Sequence, residues 1–188
     1  MNTNKYISIF LNFIPIVGIV LVYSCSNDLK TVNALPGLTN KPIMSALEVN
    51  IERNDSGEII LRAYAPEFNY YKNEKDTFTE FPKGLKVETY SLFPNLESSM
   101  KADYAKNLEG EKMWIAKTNV VVSNYKGDTL VTELLYWDQN KKIIYSDKFC
   151  RVKTLDGVLY GKNGFEADEN FTRWKLKNTK GTIYPKDE

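Results

Sequence analysis

Few residues in this sequence could do chemistry. Glu166, Asp168 and Glu169 stand close together beside Gly164 and could hold a calcium ion or act as an acid pair. They lack the regular ligand spacing of a calcium loop and read as a solvated turn. Histidine is absent from all 188 residues. Its absence removes the usual general base, the partner of serine and cysteine nucleophiles, and the commonest transition-metal ligand. A hydrolase built on carboxylates alone would need Asp or Glu paired in a cleft, and the sequence offers no convincing pair. No Gly-rich phosphate loop precedes a helix, so no nucleotide site is expected. The expectation is therefore a protein that is not an enzyme and has no cofactor and no metal. Lys101 and Lys106, or Lys148, Arg151 and Lys153, could meet lipid phosphates, although the same cations fit a charged, solvated face. With 25 Lys and Arg against 24 Asp and Glu, there is no basic excess to carry nucleic acid.

Two cysteines remain, and their settings differ. Lys5 precedes an apolar stretch, Tyr6 to Tyr23, interrupted by Ser8, Asn12, Pro15 and Gly18, which reads as an export signal or a membrane anchor. Its end, Leu21-Val22-Tyr23-Ser24-Cys25, resembles the lipobox of bacterial lipoproteins, where a small residue precedes a cysteine that is acylated after cleavage. Two acyl chains anchor stably where one is marginal. The alternative is an uncleaved transmembrane helix, with Tyr23 bulkier than a lipobox residue usually is. Either way residues 26–188 lie outside the cytoplasm. The sequence after Cys25 lacks a strong acidic run, which favours the periplasmic face of the envelope. Cys150 is then expected to be a lone buried thiol.

The elements that follow are short. Residues 25–46, with Pro36, Gly37 and Pro42, read as a lipidated tether, and residues 47–188 as one domain. Segments rich in Val, Ile, Tyr, Phe, Trp and Thr alternate with turn signals at Asp55-Ser56-Gly57, Lys126-Gly127-Asp128, Asp156-Gly157, Asn163-Gly164 and Lys180-Gly181. Period-two alternation is clearest in residues 85–90 and 173–177. It also makes residues 95–108 mostly strand, despite some helical character. Glu133-Leu134-Leu135-Tyr136-Trp137 breaks the alternation and reads as a bulge. A meander this long must close or fold into two facing sheets, because an open flat sheet would leave an apolar face in water.

From Asn119 to Tyr184 the order of motifs resembles the LptC family, the periplasmic component of the lipopolysaccharide export transporter, and the related LptA and OstA-type domains. The motifs are Val120-Val121-Val122-Ser123-Asn124 with Gly127-Asp128, Leu130 to Trp137, Ile144-Tyr145-Ser146-Asp147, Gly157-Val158-Leu159-Tyr160-Gly161, and Gly164 to Asp168. Residues 47–116 fit more loosely, and Lys162-Asn163 lengthens the link before Gly164. The resemblance implies an antiparallel β-jellyroll around an apolar groove. Such a groove would receive lipopolysaccharide from an inner-membrane ATPase complex and pass it to a periplasmic bridge protein of LptA type through edge-strand pairing.

The candidate groove-lining residues are Leu85, Val87, Trp114, Val120, Val122, Leu130, Leu135, Phe149, Val152, Phe165, Trp174 and Leu176. A packed core that never touches lipid fits the same residues. That alternative would make the protein a solid-core envelope lipoprotein of β-sandwich type, acting as a glycan- or protein-binding scaffold. Trp137 reads as structural. The last strand, Arg173-Trp174-Lys175-Leu176-Lys177, is the candidate partner edge, its three cations discouraging random pairing.

Overall fold

The computed structural model describes residues 41–73 and 76–183. The expected signal, Cys25 and most of the tether lie outside them. All regular structure among the described residues is β, in fourteen strands. These are β1 (Met44–Asp55), β2 (Glu58–Lys72), β3 (Thr77–Phe81), β4 (Leu85–Leu92), β5 (Asn95–Ala102), β6 (Tyr104–Leu108), β7 (Met113–Asn124), β8 (Thr129–Asp138), β9 (Ile143–Ser146), β10 (Cys150–Thr154), β11 (Gly157–Gly161), β12 (Phe165–Asp168), β13 (Trp174–Leu176) and β14 (Thr179–Ile183). The first strand thus begins inside the stretch read as tether, and residues 95–108 are strand on both sides of Asp103. No helix among the described residues is long and apolar enough to cross a membrane.

Every pairing is antiparallel, and the register simplifies the list of strands. β3 and β4 both pair with β2, β5 and β6 both pair with β7, and β9 and β10 both pair with β8. β12 and β11 then pair with β9 and β10, and with β13 and β14 beyond them. The chain therefore makes long passes, each hydrogen-bonded to the next, and most passes are interrupted near the middle. The interruptions fall side by side at Pro82–Gly84, Asp103, Thr118–Asn119, Asp147–Phe149, Lys162–Gly164 and Lys177–Asn178, forming a hinge line across the sheet. Gly84, Thr118, Asn119, Gly164 and Asn178 on that line all have positive φ. The irregularity expected around Glu133 is the part of this line where Thr118 and Asn119 bulge against β8.

Directly paired residues project to the same face, so the register identifies the inward one. Ile51, Ala63, Val87, Met100, Val122, Leu130, Val152, Leu159 and Gly181 form one uninterrupted cross-strand row. On the other side of the hinge line Trp114, Trp137, Ile144, Ala167 and Trp174 form a second row. Laid flat, Trp174 would sit level with Trp137, at the opposite end of β8 from Asp128. Instead its indole N–H donates to Asp128 Oδ2 at 3.3 Å. The sheet therefore folds over at the hinge line in its C-terminal part, bringing the two rows together.

Two sequence expectations about turns need correction. Asn163 lies in a turn, as expected, but the turn falls on the hinge line and joins β11 to β12 without pairing them, and Lys180-Gly181 lies within β14. Gly181 is required there by close packing, since a Cβ would sit 2.5 Å from the Val158 carbonyl oxygen.

Candidate functional site

The inward face encloses two apolar regions of different character. In the C-terminal part Val120, Leu130, Cys150, Val152, Phe165 and Phe171 are wholly inaccessible, and Val122 and Leu135 nearly so. Each such large side chain contributes about 1.5–3 kcal/mol through burial. Cys150 is a free, buried thiol, as expected, and burial pushes its pKa up. Trp137, Trp174 and Leu176 pack partly buried against this core.

Towards the N-terminal edge the interior is looser. A small core of Ala65, Phe81, Leu85 and Ala105 is flanked by Ala63, Phe68, Val87, Met100 and Trp114, which are only partly buried. Trp114 stacks between Phe81 and Trp137, at 6.0 and 6.3 Å between ring centroids. The row ends at Ile51, which is 38% exposed. Asn107 pairs with Trp114 on the same face. Asn107 Oδ1 and Trp137 Nε1 are buried there without a hydrogen-bond partner.

Phe149 does not belong to this interior. It is 57% exposed and stacks on Tyr160, itself on the outer face, at 6.0 Å. The reason is its place on the hinge line between β9 and β10, where the strand alternation that placed it inward is suspended. The other eleven groove candidates, from Leu85 to Leu176, are buried or half-buried.

The acidic cluster is consumed locally. Glu166 pairs with Lys175 at 2.8 Å across β12 and β13. Asp168 accepts from the amide and hydroxyl of Thr172 at 2.7 and 2.6 Å, and from the Arg173 amide at 3.1 Å. Among the described residues no group of acidic, cysteine or histidine side chains is arranged to hold a metal. Of the cations considered for phosphate, Lys106 lies over the Phe78 ring at 3.5 Å and Lys148 sits beside Asp147.

The chain matches no protein-family model, and no curated protein matches it. Its functional reading therefore rests on its own geometry.

Sequence reasoning missed the loop between β12 and β13. Phe171 was hidden there because it stands among polar residues in what reads as a solvated turn. The available signal was Asp168 followed by Thr172, a spacing at which a carboxylate can cap a turn. Burial alone would raise the Asp168 pKa, but the hydrogen bonds from Thr172 and Arg173 outweigh it and hold the carboxyl below its ordinary value of 3.8. A group whose pKa is lowered on folding stabilises above its unfolded pKa and loses that contribution as pH falls through the folded value. Amide exchange in residues 168–173 is accordingly expected to accelerate as pH drops below 3.8, beyond the intrinsic pH effect. In Asp168→Asn that extra acceleration should be absent, and an unchanged profile would remove Asp168 as the loop's anchor.

The edges complete the site. β1 pairs only with β2, while β13 and β14 pair only with β12 and β11 among the described residues. Among the described residues, both flanks of the sheet thus carry backbone groups without a strand partner. The strand read as last, around Trp174, is such an edge, but β14 follows it and continues the same flank.

Proposed function

We propose that this domain is a non-enzymatic carrier of lipopolysaccharide of the LptC type, a folded-over β-jellyroll held at the periplasmic face of the inner membrane. The observation that carries the reading is the apolar row from Ile51 to Gly181. It crosses the whole sheet without interruption and is accessible at its N-terminal end. An acyl chain lying along such a row is shielded at about 0.8 kcal/mol per buried methylene. Asn107 and Trp137 offer an acceptor and a donor to hydroxyl or amide groups that acyl chains carry, or to water. The free edges at β1 and at β13 and β14 are suited to strand pairing with an inner-membrane ATPase complex on one flank and a bridge protein of LptA type on the other. Energy for transfer comes from those partners.

One observation favours the second reading, a scaffold lipoprotein that binds glycan or protein. The C-terminal interior is packed like an ordinary core, with Leu130, Val152 and Phe165 fully buried.

Photocrosslinking in cells separates the two. A photoreactive residue at Trp114, with exposed Lys141 as control, is expected to capture lipopolysaccharide only at Trp114. Capture should cease when the exporter's ATPase is blocked. Equal labelling at both positions, or none from a folded, correctly localised protein, favours the scaffold.

A further inference from the structure

The two ends of the interior are not equivalent. At the N-terminal edge the inward residues Ile51 and Met44 are exposed. At the other end the loop from Asp168 to Arg173 crosses from one half of the folded sheet to the tip of the other. Phe171, in the middle of this loop, is fully buried and stacks on Trp174 at 6.2 Å.

Three side-chain hydrogen bonds hold the loop across the gap. Asn124 Nδ2 donates to the Phe171 carbonyl at 2.8 Å, Asn170 Nδ2 to Glu97 Oε1 at 3.1 Å, and Trp174 Nε1 to Asp128 Oδ2 at 3.3 Å. Glu97, Asn124 and Asp128 all lie near the hairpin ends of the opposite half, far from the hinge line. Within the loop, Asp168 binds Thr172 and Arg173, and the Phe171 amide donates to the Asp168 carbonyl at 3.0 Å. The loop therefore has its own internal framework and is joined to the opposite half by a few separable bonds, each modest by itself. Phe171 also has a φ of +55°, an unfavourable conformation for a bulky residue, which persists only where the surroundings impose it. Trp174 also lines a surface cavity of about 460 Å³ that reaches Leu159, Leu155 and Asp128. The buried Phe171, through its stack on Trp174, thus meets the boundary between the packed interior and that cavity.

We propose that residues 168–173 are a gate, with Phe171 as its plug, that closes the C-terminal end of the interior and must swing out for an acyl chain to leave. The device rests on the carrier reading and gives it a direction. Lipid enters at the exposed N-terminal edge and is released beside the C-terminal strands only when the loop lets go. It also accounts for a packed core in a carrier, because the closed state is the unloaded one.

The test uses the full chain together with the export ATPase complex and ATP, in phosphatidylethanolamine and phosphatidylglycerol vesicles containing lipid A. A benzophenone residue is placed at Trp114, on the open side, or at Leu159, beyond the plug. Glu97→Cys and Asn170→Cys are joined by a short bismaleimide, with each single cysteine as control. Cys150 is inaccessible, and Cys25→Ser removes the other thiol. Bridging is expected to leave the lipid A adduct at Trp114 unchanged and to lower that at Leu159 by about fivefold or more, as expected when the open population is depleted. Phe171→Ala should raise the Leu159 adduct, but the bridging arm stands without it should that variant not fold. An unchanged Leu159 adduct on bridging overturns the gate and leaves the carrier reading intact. No adduct at either position overturns both.

Discussion

Gly164→Ala is expected to disrupt the C-terminal part of the sheet. Gly164 sits on the hinge line at φ +96°, where a Cβ would lie 1.9 Å from the Ser146 carbonyl oxygen and 2.9 Å from Asp147 Cα. Both obstacles are backbone in the neighbouring pass, so no side chain can rotate away. Relief would require β9 and β12 to separate, and their pairing from Phe165–Ser146 to Asp168–Ile143 carries the core residues Ile144 and Phe165. A loss of about 3 kcal/mol or more is expected, a large share of a typical stability of about 5–15 kcal/mol. Gly127→Ala supplies the comparison, because Gly127 has a similar φ of +85° with nothing near its Cβ position. It should pay only the left-handed strain of about 1 kcal/mol. Urea unfolding followed by circular dichroism measures both. Equal midpoints for the two variants would mean that the close approach at the hinge line gives way freely.

The same position shows how far the sequence could be read. Alternation along residues 85–90 and 95–108, with turn signals at Asp55-Ser56-Gly57 and Asp156-Gly157, was enough to predict an antiparallel meander, because burial on one face imposes period two. It was not enough to locate the hinge line. A residue that interrupts a strand and one that ends it use the same chemistry, so Asn163-Gly164 looked like a hairpin. Phe149 was misplaced for the same reason, since parity cannot be carried across an interruption of unknown length. Most of the inward face was legible, because Val120, Leu130, Val152 and Phe165 are apolar at strand spacing. Ala63 and Met100 were passed over, although the register places them in the same row. Least legible were contacts between segments far apart in the chain, such as Asn124 with Phe171 and Glu97 with Asn170. No local pattern announces that two polar turns will meet when a sheet folds over.

The difference between the two ends of the interior can be measured by truncating one large side chain in each. Phe165 is wholly inaccessible and faces Ser146 and Leu176 across its neighbouring strands. Phe165→Ala should therefore leave a cavity that its surroundings cannot fill, at a cost of about 3–5 kcal/mol. Trp114 is the larger residue, yet it is only partly buried and lies among Phe81, Trp137 and the accessible N-terminal row. Part of its surface already meets solvent, and its removal widens an opening without emptying a sealed space. Trp114→Ala is accordingly expected to cost about 1–2 kcal/mol, near the centre of the distribution for single substitutions. Equilibrium unfolding of the two variants compares these losses directly. If Trp114→Ala costs as much as Phe165→Ala, the N-terminal region is a second solid core, no acyl chain has room to enter there, and the scaffold reading prevails. If the order holds, the molecule is firm where its gate closes and yielding where lipid would arrive. That is the asymmetry a carrier needs to load at one edge and unload at the other.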